Sequence, residues 1–160
     1  MKLLKNLLIS AAMATTLTNA ALAMTADEAR DLVAPFYSFL GNATSEQAQD
    51  SVRDVMHPAW QSFYSNQGSK GLEDTIKAIS GFGNLVPDLQ WKMVDVKVSG
   101  DTIVVRGEAT GTPAGEFFGV PHSGNSFKIM SIDLHRVENG KIVESHHIED
   151  WAGAMRQLAK

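Results

Sequence analysis

The chain is predicted to be α+β, because apolar residues recur at helical spacing in its first half and alternate in its second, with the change at Gly81-Phe82-Gly83. Asn139-Gly140, set between two strand-like runs, is a strong hairpin signal and places antiparallel pairing late in the chain. Helices first and sheet afterwards is the order of an α+β domain rather than of alternating βαβ units.

Residues 1–23 read as an export signal. Lys2 and Lys5 open it, a mostly apolar stretch runs from Leu3 to Thr16, and Ala21-Leu22-Ala23 supplies small residues for cleavage. That stretch is short for a membrane span and no second one follows, so the expected product is a mature domain, 24–160, in the periplasm or secreted, with no span left after cleavage. Removing 23 of 160 residues leaves 137, enough for one domain with a sizeable core. With no cysteine, an exported chain holds its fold by packing alone and has no thiol nucleophile. Loss of Lys2 and Lys5 takes the formal charge from −4 to −6, and the remaining basic residues form no stripe. Nucleic acid and anionic membrane surfaces are therefore excluded as expected partners, leaving small molecules and proteins.

In the mature part, Thr25 and Glu28 have the form of a capping box, and Leu32, Val33, Phe36 and Leu40 follow at helical spacing, with a kink expected at Pro35. Gly41-Asn42 ends this helix. Thr44-Ser45 caps a second that reaches Val55 and stops at His57-Pro58. A third spans Gly71 to Phe82, with Leu72, Ile76 and Ile79 on one side. Leu89, Trp91 and Met93 then share one strand face, whereas Val94, Val96 and Val98 continue on the other parity, which predicts a bulge near Met93. Ser99-Gly100-Asp101 turns into a strand from Thr102 to Gly111, a glycine-punctuated loop runs to Gly124, and strands follow at Ser126–Val137 and from Lys141 to about Asp150.

Several segments in this order resemble the SnoaL-like polyketide cyclases of the nuclear transport factor 2-like superfamily: Val86-Pro87-Asp88-Leu89, Ser99-Gly100-Asp101, the loop from Gly111-Thr112 through Gly115-Glu116-Phe117 to Pro121, Arg136-Val137 with Gly140-Lys141-Ile142-Val143-Glu144, and Asp150 with Gly153 and Gln157-Leu158. The resemblance implies a cone-shaped barrel, in which N-terminal helices pack on a strongly curved mixed or antiparallel sheet and enclose an apolar cavity. It also implies chemistry without cofactor: an acidic residue moves protons while an enolate attacks a ketone of the same substrate. By motif position Asp150 inherits that role. The chain departs from the family pattern at His146, where many members carry tryptophan, at Pro121-His122-Ser123-Gly124-Asn125, and in being exported.

Strict alternation groups Phe127, Ile129, Ser131, Asp133 and His135 on one strand face, and Ile142, Glu144, His146, Ile148 and Asp150 on one face of the next. If the cavity is lined by the face bearing Asp133, His135, His146 and Asp150, these four give it two imidazoles and two carboxylates, whose burial shifts their pKa values toward the range acid–base work needs. The expected catalytic group is Asp150, with His146 and His135 sharing or orienting its proton. Asp133, His57, Tyr64, Phe117 and His122 are the expected substrate contacts. Other readings stay open: Asp150 precedes Trp151–Met155 and is well placed to cap a short helix, His135 suits a hydrogen-bonded strand interior, and of His146 and His147 one points inward and one to solvent. No spacing matches a dedicated metal motif, so neither metal nor cofactor is expected. No phosphate-binding loop or Gly-x-Ser-x-Gly elbow is present.

The expected function is that of a cyclase or isomerase acting by general acid–base proton transfer on a small hydrophobic carbonyl compound. The alternatives are a periplasmic small-molecule binding protein without turnover and a dimeric interaction module. A homodimer through the face bearing Met130, Ile132 and Leu134 suits all three.

Overall fold

A computed structural model describes residues 24–160, so the expected export signal lies outside the described residues. The elements are α1 (Ala26–Leu40), α2 (Glu46–Val55), β1 (Met56–Phe63), β2 (Ser69–Gly71), α3 (Leu72–Leu85), β3 (Gln90–Ser99), β4 (Thr102–Gly111), β5 (Phe127–Glu138), β6 (Lys141–Glu149) and α4 (Trp151–Leu158). They form an α+β fold in which helices pack on a six-stranded mixed sheet of order β2-β1-β6-β5-β4-β3. The sheet is open rather than a closed barrel. Its one parallel pair is β1 with β6, and the others are antiparallel.

Local chemistry accounts for the element boundaries. Thr25 and Glu28 satisfy each other's backbone amides in a full capping box, and α1 continues through Pro35 to end at Gly41. Ser45 caps α2 by accepting from the Ala48 amide. The β5–β6 turn places Asn139 and Gly140 at φ 50° and 75°, the left-handed conformations a tight hairpin requires.

Two regions depart from expectation. The segment after Val55, where His57-Pro58 is expected only to stop the second helix, is strand β1, which accommodates Pro58 because it has no N–H to give and falls where the pairing with β6 is interrupted between Met56 and Gln61. The predicted bulge on β3 is present between Met93 and Asp95, but a second one, unforeseen, sits on β6. Arg136 faces Glu144 while Val137 faces Ile142, leaving Val143 as the extra residue.

The sheet's concave face and helices α1–α3 enclose a core of Val33, Phe36, Phe39, Val52, Trp60, Ile103 and Val105. A second cluster, Val86, Leu89, Phe117, Phe127 and Leu158, closes the end near α4, and Trp91 packs against both. Among the described residues no helix is long and apolar enough to cross a membrane. On the opposite sheet face Met130, Leu134 and Ile148 are exposed.

Candidate functional site

Between the helices and the concave face lies a cavity of about 410 Å³ with apolar walls from Phe36, Leu40, Ile79, Phe82 and Trp151. Its polar end is built by β5 and β6. Strict alternation along β5 turns Ser131, Asp133 and His135 inward, as expected. On β6 the bulge at Val143 reverses the parity of the residues that follow, so Ser145, His147 and Glu149 face inward and Glu144, His146 and Ile148 do not. Asp133, His147 and Glu149 line the cavity together.

Asp133 is the focus of a hydrogen-bond network with a defined direction. Its Oδ2 accepts from the Tyr37 hydroxyl at 2.9 Å and from Ser131 Oγ at 3.2 Å. Tyr37 gives its only hydrogen to Asp133, so its oxygen accepts from His135 Nε2 at 3.1 Å. The neutral His135 ring is thereby the Nε2–H tautomer, and its Nδ1 accepts from Ser145 Oγ at 2.8 Å. Ser145 in turn accepts from Trp60 Nε1 at 2.9 Å, and Ser131 accepts from Trp91 Nε1 at 3.2 Å. An indole N–H can only donate, so both chains run from a tryptophan toward the Asp133 carboxylate. Gly107, opposite Ser131 on β4, leaves the space that a Cβ would take from the Trp91–Ser131 contact.

The third tryptophan supports the other acid. Trp151 Nε1 donates to Glu149 Oε2 at 3.1 Å, and Glu149 Oε1 lies 2.7 Å from His147 Nδ1, which leaves His147 Nε2 for a ligand. All three tryptophans of the chain thus aim an N–H into this polar end.

Burial and neighbouring charge set the proton affinities. Desolvation, reinforced by the Glu149 charge, pushes the Asp133 carboxyl up to about 6 against the opposing hydrogen bonds from Tyr37 and Ser131. Complete burial pushes His135 down to about 3, so it is neutral. Burial opposes charge on His147 too, but its Glu149 partner, helped by Asp133, outweighs this and raises its pKa above 6.5. Burial and the Asp133 charge raise Tyr37 well above the phenol range, keeping it a donor.

Several expected site residues lie elsewhere. Asp150 is the N-cap of α4: its Oδ1 accepts from the Gly153 amide at 2.8 Å, and its side chain is 53% exposed. The capping alternative is what the structure contains, since the strand ends one residue before Asp150. His146 is turned outward by the bulge, stacks on Phe63 with ring centroids 4.7 Å apart and bonds Glu144 at 2.9 Å. His57 is exposed and accepts from the Ala59 amide. His122 lies in the exposed loop after β4, away from the cavity. Phe117 is buried in the second cluster, and its neighbour Phe118, at φ 49° in a tight turn with Gly119, lines the cavity instead. Tyr64 does line the cavity, Asp133 sits within it, and His135 stands behind Asp133 as a buried support.

His147 and Glu149 were not foreseen as site residues. Their signal lay in Ser145-His146-His147-Ile148-Glu149, where either parity puts one histidine inside, and only the bulge decides which. Asp133, His147 and Glu149 each offer a ligand atom within 4.8 Å of the others, the one such group among the described residues. In this arrangement His147 and Glu149 are bonded to each other, and Asp133 to Tyr37 and Ser131.

An open sheet, a helical cover and a cavity with apolar walls that ends in Asp133, His147 and Glu149 define an α+β fold of the cone type. Residues 32–158 match the SnoaL-like polyketide cyclase family, and the chain belongs to that family. The fold agrees with TsrD from Streptomyces laurentii, 25% identical over 86% of this chain and 99% of that one, TM-score 0.72. It also agrees with IdmH from Streptomyces antibioticus, assigned as a polyketide cyclase, at 23% identity over 83% and 99%, TM-score 0.72. A protein from Jannaschia sp. CCS1 assigned as a SnoaL-like polyketide cyclase is 24% identical over 82% and 91%, TM-score 0.71. No curated protein matches the chain.

Proposed function

We propose that the protein is a cofactor-free cyclase or isomerase that moves protons within a small hydrophobic carbonyl compound held in the cavity. The observation that carries this reading is Asp133, a buried carboxyl with a pKa of about 6, beside His147 and Glu149 in a cavity with apolar walls. A carboxylate of that affinity takes a proton near neutral pH and returns it readily.

In the proposed reaction Asp133 removes a proton from the carbon next to a carbonyl, leaving an enolate. The enolate carbon attacks a second carbonyl carbon of the same molecule, forming the ring bond. The resulting alkoxide takes a proton from His147, and the proton held by Asp133 returns to His147 through the substrate oxygen or Glu149, so the net change is an isomerisation. Tyr37 and Ser131 hold Asp133 in place while it cycles. On the reading of residues 1–23 the reaction takes place after export, and the exposed face of Met130, Leu134 and Ile148 is the proposed homodimer surface.

The test is to identify compounds the purified protein retains by native mass spectrometry. Their exchange of carbonyl-adjacent hydrogen for deuterium in D₂O is then followed by NMR. The wild type is expected to accelerate exchange and Asp133→Asn to leave it at the buffer rate. Bound compounds that exchange no faster with wild type than in buffer assign the cavity to binding without turnover.

A further inference from the structure

We infer that Lys70 and Thr75 form an oxyanion subsite at the mouth of the cavity, so that the ligand is a hydrophobic carbonyl compound that also carries a carboxylate or similar acidic group. The inference rests on the cavity being the ligand site and adds the substrate class to the reading above.

Lys70 is exposed, but it stands on the cavity side of the sheet. Across the sheet it stands opposite Ser62, Ser62 opposite Ser145, and Ser145 opposite His135. Cross-strand partners share a face, and Ser62, Ser145 and His135 are all buried on the concave one. The Lys70 side chain therefore leaves toward the cavity, which it lines, and its Nζ lies 3.9 Å from the centroid of the Tyr64 ring. Among the described residues no carboxylate is within ion-pair range of it. Glu149 and Asp133, the acids lining the same cavity, are occupied by His147, Trp151, Tyr37 and Ser131.

A second, independent observation points to the same end. Thr75, in the first turn of α3 and five residues after Lys70, lines the cavity and is buried, yet its Oγ1 has no hydrogen-bond partner in the protein. Among the described residues it is the one buried side-chain polar atom left so. An orphaned buried hydroxyl is costly, and a rotation about χ1 that turns it to a ligand oxygen in the cavity removes the cost. An ammonium without a carboxylate partner and an unpaired hydroxyl, both on residues that line the cavity, suit an acidic group with two or more oxygens.

Two dyes that share a ring system, anionic 8-anilinonaphthalene-1-sulfonate and neutral N-phenyl-1-naphthylamine, separate charge recognition from apolar fit. Their affinities are measured by fluorescence titration on wild type and on Lys70→Gln, Lys70→Arg, Thr75→Val and Ala78→Trp. Lys70→Gln is expected to weaken the anionic dye by roughly five- to tenfold and the neutral dye by less than about twofold, with Lys70→Arg close to wild type. Thr75→Val, which keeps the side-chain shape, is expected to weaken the anionic dye by roughly threefold or more without lowering the unfolding temperature. Ala78 is exposed at the edge of the cavity, so Ala78→Trp should block its opening and remove both dyes. Equal effects of Lys70→Gln on the two dyes, binding that survives Ala78→Trp, or no binding of either dye overturns the subsite. If the subsite fails while Asp133→Asn still abolishes deuterium exchange, the acid–base reading stands without it. If dye selectivity holds and exchange is absent, the cavity is an anion-selective binding site.

Discussion

Strands β5 and β6 lie side by side, are both rich in titratable residues, and obey different rules. β5 keeps period two along its whole length, so every second residue from Phe127 to Val137 is buried. β6 takes one extra residue at Val143 and changes parity partway, so Ile142 and Ser145, three apart, are both buried. One residue of slip decides that His147 and Glu149 enter the cavity and that His146 stacks on Phe63 outside it. The lesson is that a functional site on a strand depends as much on irregular pairing as on which residues the strand carries.

The largest expected effect tests the β5 side. Asp133→Asn preserves shape and an oxygen for Tyr37, and turnover is expected to fall by about 10²–10⁴-fold. The stability effect has a definite sign. Burial raises the Asp133 pKa to about 6, so the folded chain holds this proton more tightly than the unfolded one. The associated stability is complete below the ordinary carboxyl value of 3.8 and is lost as pH rises through about 6. Asp133→Asn should therefore be more stable than wild type at pH 8, by on the order of 2 kcal/mol, and the gap should close near pH 4. Urea unfolding at the two pH values measures it, and a wild-type rate in this variant removes Asp133 from the mechanism.

On β6 the comparison sharpens to adjacent residues. His147→Ala is expected to lower turnover by roughly 10- to 100-fold and His146→Ala to change it by less than about twofold. The reverse ranking would mean that β6 pairs without its bulge when substrate is bound. Steady-state rates on the same substrate, with circular dichroism to confirm folding, decide between them.

Much of this molecule was legible in its sequence, for physical reasons that also mark the limits. The α1 capping box, the Asn139-Gly140 turn and the β3 bulge are local, and each leaves its signature within a few residues. The grouping of Ser131, Asp133 and His135 on one face of β5 was legible because its alternation is unbroken. The β6 bulge was not, because Ile142-Val143 fits either parity and only pairing with Arg136 and Val137 selects one. Strand β1 was hidden by Pro58, which reads as a breaker unless the interruption it occupies is known. The tryptophans read as core from composition, and Trp60 is fully buried. The N–H groups of Trp60 and Trp91 meet Ser145 and Ser131, far along the chain and set only by tertiary packing, whereas that of Trp151 meets Glu149, close by in sequence.

His135 supplies a smaller, pH-dependent test of the network behind Asp133. Its folded pKa is depressed from 6.5 to about 3, so its contribution to stability is complete above 6.5 and declines as pH falls toward 3. This is opposite in sign to Asp133 and overlaps it in range. His135→Gln should flatten the acid limb of the stability curve. In the wild type, ¹⁵N shifts at pH 5 should show a neutral ring protonated at Nε2, as donation to Tyr37 requires. An imidazolium spectrum at that pH would contradict the directed chain.

The smallest effects belong to Asp150, one residue beyond the end of β6. There the chain leaves the sheet, and the Gly153 amide at the start of α4 would lack an intrahelical partner without the Asp150 carboxylate. Asparagine caps as well as aspartate does, so Asp150→Asn should change stability by a few tenths of a kcal/mol, whereas Asp150→Ala should cost about 1 kcal/mol. The 4.0 Å approach of Arg156 is exposed and adds little. Because the carboxylate is tied to backbone outside the cavity, neither variant should alter turnover by more than about twofold at constant folded protein. A loss of activity in Asp150→Asn with full stability would move the proton-transfer role from the buried strand to the helix cap and reverse the assignment made to Asp133.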